Sequence, residues 1–222
     1  MTHKLQRRNF LGKFTAAVIG SVTLGSCISG KKEGISQTVE NPVLTTSQNS
    51  ISKNREMPRE LVMKILDQKV DQYMQISFNC AQSSFLALKE QFGLQGAGVL
   101  KALTPLTGIA ERGETCGAVI GSLMCFGLIY GRGKNRLNDW ETYRQSLVPS
   151  GEFCNRFEKE YGSTMCCNIQ KQKFGKCFHL TNPEELKCFQ EAGATSICSS
   201  VVRKAVRITA EIILDGPKTV HS

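Results

Sequence analysis

The chain has 222 residues, 41% hydrophobic and 21% charged, which allows one folded domain of ordinary size plus an appendage. Its formal charge of +9 is too diffuse for a nucleic-acid footprint, since four of the cations (Lys4, Arg7, Arg8, Lys13) fall in the first 26 residues. No apolar run reaches the roughly 18 residues of a spanning helix. Three histidines (His3, His179, His221) exclude His-clustered zinc and bis-His haem, which leaves ten cysteines to carry any chemistry.

In chain order, Gln6 to Lys13 reads QRRNFLGK, followed by an uncharged stretch from Phe14 to Ser26 and then Leu24-Gly25-Ser26-Cys27. A basic segment, an apolar segment and small residues before a cysteine resemble a twin-arginine export signal joined to a bacterial lipoprotein box. The resemblance implies the export machinery as a partner, cleavage before Cys27, lipidation of its thiol and attachment to the periplasmic side of a bacterial membrane. A short amphipathic helix with a chance arginine pair is the plain alternative. Residues 27–57, rich in Ser, Thr, Asn, Gln and Gly, read as a flexible tether, and 217–222 as a tail.

Between them, residues 58–216 read as helices. Val62, Leu66, Val70 and Tyr73 recur at helical spacing after Pro58. Asn79 is the expected N-cap of a second helix whose stripe is Ala81, Phe85, Leu88 and Phe92, with Gly93 its stop. Cys116 to Tyr130 is almost wholly apolar and closes at Gly131, so it is expected to be central. Asp139 to Leu147 is amphipathic and Pro149 is expected to break it, with Phe153, Phe157 and Tyr161 forming a separate stripe. Asn182-Pro183-Glu184-Glu185 is a helix start and Gly193 a stop. Ser196 is expected to cap a last helix facing inward through Val201, Val202, Ala205, Ile208 and Ile212. No β-branched alternation persists over five positions, so the fold expected is all-α, a compact multi-helix bundle.

Four cysteines share one setting. Cys80, Cys116, Cys166 and Cys198 each fall in an expected first helical turn, where free N–H groups and the positive dipole end favour a thiolate. Two outcomes fit: an iron–sulfur or other thiolate-bound metal centre, or dithiol/disulfide couples. Gly117 and Gly121, with Ala118 and Ser122, stack one turn apart, which calls for close approach of a backbone or of a prosthetic group. Glycine inside a helix otherwise costs about 1 kcal/mol.

Asn79-Cys80-Ala81-Gln82, Gly113 to Gly121 (GETCGAVIG), Tyr161 to Cys166 (YGSTMC) and Cys198 at the head of a Val/Ala/Ile-rich helix resemble the C_GCAxxG_C_C family of putative redox-active proteins. The resemblance covers most of Pro58 to Asp215. It implies a helical redox domain in which those four cysteines are the redox-active or metal-binding residues, with Gly117, Ala118 and Gly121 against any cofactor. Similar domains in split-Soret cytochromes carry an iron–sulfur centre beside haem, but haem and nucleotide motifs are missing here. Relatives have a glycine-rich run where this chain has PLTGIAERGE (Pro105 to Glu114), which puts any cofactor contact of that run in doubt.

Five further cysteines remain. Cys125 lies half a revolution round the helix from Cys116. Cys125 and Cys154 read as small apolar side chains. Cys167 is the alternative to Cys166, and Cys177 and Cys188 are candidates for a bridge. His179 reads as a surface or core residue, or as a cluster ligand or proton donor, Glu114 as a helix cap or an acid/base, and Arg203, Lys204 and Arg207 as a solvated face. The leading function is a lipid-anchored extracytoplasmic redox protein, an electron carrier more than a substrate-converting enzyme, with an unidentified redox partner and a homodimer left open. The competitors are a non-catalytic metal- or partner-binding lipoprotein and a helical module with inert disulfides.

Overall fold

The computed structural model describes residues 42–216, so the segment expected to be an export signal, Cys27 and the tail from residue 217 lie outside the described residues. Among the described residues, ten helices run in the order α1 (Pro42–Glu56), α2 (Arg59–Ser77), α3 (Cys80–Gln91), α4 (Ala97–Ala102), α5 (Gly108–Glu111), α6 (Gly117–Tyr130), α7 (Trp140–Tyr161), α8 (Cys166–Phe174), α9 (Pro183–Glu191) and α10 (Ala194–Asp215). A short 3-10 turn covers Lys134–Arg136, and no strand occurs among the described residues. The fold is all-α, as the periodicity requires.

The central pair is α3 and α6, which lie in close contact, with α2, α7 and α10 packed around them. From α2 the core takes Val62, Leu66, Val70 and Met74 at helical spacing, and from α3 Ala81, Phe85 and Leu88. The long α10 contributes Val202, Ala205, Ile208, Ile212 and Ile213, and it touches α2, α3, α6 and α7. The first six residues of α6 are buried, but Met124, Gly127 and Leu128 face solvent, so only part of this apolar helix is enclosed.

Three local outcomes differ from the sequence expectations. First, helix α1 occupies part of the expected tether. Its buried Asn54 donates through Nδ2 to Ser50 O (2.8 Å) and Gln91 O (2.9 Å), and accepts from Gln91 Nε2 (2.6 Å). Arg55 donates to Ile213 O and Leu214 O at 3.0 Å each, satisfying carbonyls at the C-terminus of α10 where a cation is favoured. Polar groups met across the fold hold α1, and apolar periodicity cannot register them.

Second, Pro149 does not break its helix. It lies inside α7, and its buried ring continues the stripe of Phe153, Phe157 and Tyr161 at four-residue intervals. Phe153 also meets Phe126 of α6 edge-on, with ring centroids 6.0 Å apart. Burying one continuous aromatic row outweighs the roughly 3 kcal/mol penalty of an interior proline. Third, α10 starts at Ala194 with Gly193 as N-cap, not at Ser196, so Cys198 lies beyond the first turn.

Candidate functional site

The site is assembled at helix beginnings. Asn79 caps α3 by accepting from Gln82 N (2.9 Å), which makes Cys80 the first helical residue, and its Nδ2 donates to Thr104 O (3.0 Å). Cys116 occupies the N-cap of α6, and Cys166 opens α8. Residues 113–116 and 164–167 run antiparallel: Cys116 N donates to Thr164 O (2.8 Å), Cys166 N to Glu114 O (2.7 Å) and Cys167 N to Gly113 O (2.8 Å). These three bonds fasten two cysteine stations that are 50 residues apart in sequence. Cys198 approaches from α10.

Cys80, Cys116, Cys166 and Cys198 line one cavity of about 40 Å³, together with Ile169, Val201 and Val202. A larger cavity of about 210 Å³ reaches Cys80, Cys166 and Cys198 from another side, with Phe78, Leu180, Leu186 and Phe189 among its walls. The sequence-selected set is therefore brought together, between a small apolar space and a wider cleft.

Neighbouring sulfur and burial outweigh the helix N-termini at these thiols. The neighbouring Cys80 sulfur, and then burial, hold Cys116 well above the usual thiol range. The N–H groups of Ala118 and Val119 pull the other way and lose. Burial pushes Cys166 up to about 12, aided by Cys116 and opposed by the amide of Gln170, whose Nε2 lies 3.4 Å from the sulfur. Cys198 is likewise raised to about 12 by burial and then by Cys116 and Cys166. The thiolate expectation from helix N-termini is thus corrected: these three groups are neutral thiols at pH 7. Alkylation of Cys166 and Cys198 by iodoacetamide is accordingly expected to accelerate about tenfold per pH unit between pH 7 and 9, because only the thiolate reacts. A pH-independent rate at these two peptides would contradict the assignment.

Among the described residues, no group of three or more His, Cys, Asp or Glu side chains is drawn together closely enough to hold one metal ion. The four sulfurs border a common space without converging on a point, so a single-ion site does not fit the arrangement as it stands.

The glycines expected against a cofactor have a nearer explanation. A Cβ on Gly117 would lie 2.5 Å from Cys80 Sγ and 2.8 Å from Ala81 N. One on Gly121 would lie 2.5 Å from Ala81 O and closer still to Ser84 Oγ. Together with the buried Ala118, they let α6 lie against α3, and Gly117 also makes room for the Cys80 sulfur. The close approach required by the sequence is that of a neighbouring backbone.

The segment PLTGIAERGE holds a feature the sequence reading missed. Gly108, Ile109, Ala110 and Glu111 have φ of 52°, 48°, 55° and 62°, so α5 is a left-handed turn. For non-glycine residues this conformation costs about 1–2 kcal/mol each. It brings Gly108 beside Cys166, where a Cβ would lie 3.5 Å from the sulfur. The pair Gly108 and Gly113, both at positive φ, was the available signal.

The other candidates fall elsewhere. Cys167 is disulfide-bonded to Cys177, with Cα atoms 4.9 Å apart, so Cys166 supplies the free thiol of the pair. The bridge considered between Cys177 and Cys188 does not form, and Cys188 is exposed as a free thiol on α9. Cys125 is fully buried in the core and Cys154 packs partly against it. His179 is exposed and lines neither cysteine cavity. The Glu114 side chain pairs with Arg112 (3.2 Å) and caps no helix. Arg203, Lys204 and Arg207 are not a bare solvated face, for they pair with Asp71, Glu160 and Asp67.

A family model described as "Putative redox-active protein (C_GCAxxG_C_C)" matches residues 78–212, which include all four cavity cysteines. No curated protein and no solved structure matches the chain.

Proposed function

The chain belongs to the C_GCAxxG_C_C family of putative redox-active proteins, and from that premise we propose that it is a thiol-based electron carrier. The observation that carries this reading is the lining of one cavity by Cys80, Cys116, Cys166 and Cys198 from four separate helices. Cys80 and Cys116 are the working pair, because the Cys80 sulfur sits against the Cys116 thiol and also faces the wider cleft. In one cycle the two thiols pass two electrons and two protons to the disulfide of an acceptor protein, so that a sulfur–sulfur bond forms here as the acceptor's breaks to two thiols. A dithiol donor restores them by exchange through a mixed disulfide. A Cys116 thiol held well above the usual range suits this role in an apolar cavity, since the paired loss of protons and electrons leaves no buried charge behind.

A second reading, an iron–sulfur centre held by the same four thiolates, draws on the same shared cavity. One experiment separates the two. The full chain is purified without oxygen, its iron, sulfide and zinc are counted, and its free thiols are titrated before and after a two-electron oxidant such as diamide. Loss of two thiols, mapped to Cys80 and Cys116 by peptide mass, is the expected result. Stoichiometric iron with sulfide would instead assign the cluster. Zinc alone would favour the metal-binding lipoprotein, and thiols inert to oxidation would defeat the carrier.

Export and lipidation belong to the same proposal. QRRNFLGK and LGSC direct the folded domain through the twin-arginine route and anchor it by Cys27 at the periplasmic side of a membrane. Replacing Arg7 and Arg8 together by lysine is expected to retain the protein inside the cell, and Cys27→Ser to release it from the membrane fraction. Unchanged fractionation of both variants would remove the anchor from the model.

A further inference from the structure

The segment from Gly175 to Gly193 forms one wall of the wider cleft through Leu180, Leu186, Phe189 and Gln190. It is weakly anchored for a cavity wall. Phe178 is its only buried residue, and α9 within it has none. Apart from the bond of Gly175 N to Lys171 O (3.0 Å), where the segment leaves α8, and the contact of α9 with α10, three attachments hold it beside α8. The Phe174, Phe178 and Phe189 rings cluster with centroids 5.1–5.7 Å apart. The N–H of Phe178 donates to Gln170 Oε1 at 2.8 Å. The disulfide Cys167–Cys177 is the covalent tie. The second attachment leads straight to the site, because the other end of Gln170 contacts Cys166 Sγ.

We propose that Cys167–Cys177 is a second redox site, a latch that a dithiol reductant opens, and that the segment Gly175–Gly193 is the lid it holds over the cysteine cleft. Both cysteines are partly exposed, so an incoming thiolate can reach the bridge. Lys171, one turn along α8 from Cys167, and Lys176, beside Cys177, are exposed and favour that thiolate electrostatically. The exchange is balanced. The first thiol of the reductant attacks one sulfur of the bridge, the S–S bond breaks, and the released cysteine takes a proton. The second thiol displaces the other cysteine from the mixed disulfide, leaving the reductant as a disulfide and the protein with two thiols. With the covalent tie gone, a segment holding so little buried surface opens locally at low free energy while the bundle stays folded. The proposal concerns access to Cys166 and Cys198, not what those sulfurs do, so it stands or falls apart from the electron-carrier reading.

The test is labelling of the full native chain with N-ethylmaleimide, followed residue by residue by peptide mass spectrometry. Rates are compared for the oxidised protein, for protein reduced by dithiothreitol and desalted, and for the double variant Cys167→Ser with Cys177→Ser. The proposal expects labelling of Cys166 and Cys198 to rise at least fivefold in both unlatched forms, with the exposed Cys188 unchanged and the core Cys125 still protected. Reoxidation of the reduced protein is expected to restore the slow rates. A smaller rise at Cys166 and Cys198 overturns the latch. So does a matching rise at Cys125, because it signals general unfolding. If the double variant does not fold, the reduction and reoxidation of the natural chain decide the matter.

Discussion

Gly121→Ala is expected to destabilise the protein by about 3 kcal/mol or more, at or beyond the upper end for overpacked cores. The added Cβ would fall 2.5 Å from Ala81 O, a backbone atom of α3, and nearer still to Ser84 Oγ. Ser84 cannot simply turn away, since its hydroxyl donates to Cys80 O (2.8 Å) and the residue is fully buried. Relief therefore requires α3 and α6 to part, which opens the core between them and separates Cys80 from Cys116. Gly127→Ala, on the same helix, provides the control. Nothing lies within 4 Å of its Cβ, and alanine there is expected to stabilise by up to about 1 kcal/mol through helix propensity alone. Urea unfolding of both variants gives the test: a loss at Gly121 no larger than at an exposed site would show that the two helices do not pack as described.

Cys116→Ser is expected to abolish the two-thiol oxidation while leaving the fold as stable as before. Cys116 stands at the N-cap of α6, where serine is among the preferred residues and its oxygen accepts from the N–H groups that now meet sulfur. The variant thus removes the partner of Cys80 without opening a cavity. Diamide is expected to consume no thiols in it within the time that consumes two in the natural chain, with thermal unfolding shifted by no more than a few degrees. Cys125→Ser should behave oppositely. That sulfur is fully buried with only a distant contact to Phe85 O (3.9 Å), so a hydroxyl there is expected to cost about 1–3 kcal/mol and leave oxidation intact. Unaltered thiol consumption by Cys116→Ser would remove the pair from the mechanism.

Much of the helical framework was legible because its signals are local. Asn79 and Asn182 accept N–H bonds from the first turns that follow them, and Asp139 does the same for α7. Those bonds span two or three residues, so a short stretch of sequence contains the whole interaction. The inward stripes of α2, α3 and α10 were legible for the same reason. Helix α1 was not, because Asn54 and Arg55 find their partners at Gln91, Ile213 and Leu214. Nor was the continuity of α7. Pro149 is a breaker by its own chemistry and a core residue only by virtue of what packs against its ring.

The four candidate cysteines were legible as a set and not as an environment. Their positions near helix beginnings held for Cys80, Cys116 and Cys166 and failed for Cys198. The thiolate expected from those positions gave way to neutral thiols, because the Cys80 sulfur beside Cys116, and the desolvation of Cys166 and Cys198, depend on which other helices cover them. Likewise the partner of Cys177 was decided by the turn after α8, which folds back on Cys167 and leaves Cys188 in solvent.

The amino-acid order alone determined that this chain is helical, where most of its longer helices begin, and which cysteines share a motif, since caps, periodicity and motif spacing are written within a few neighbouring residues. Tertiary structure alone decided which sulfurs touch, which are bonded, how protonated they are, and that Gly117 and Gly121 serve a helix contact. Those properties arise from surfaces that meet only after the chain has folded, and from the water that their meeting expels.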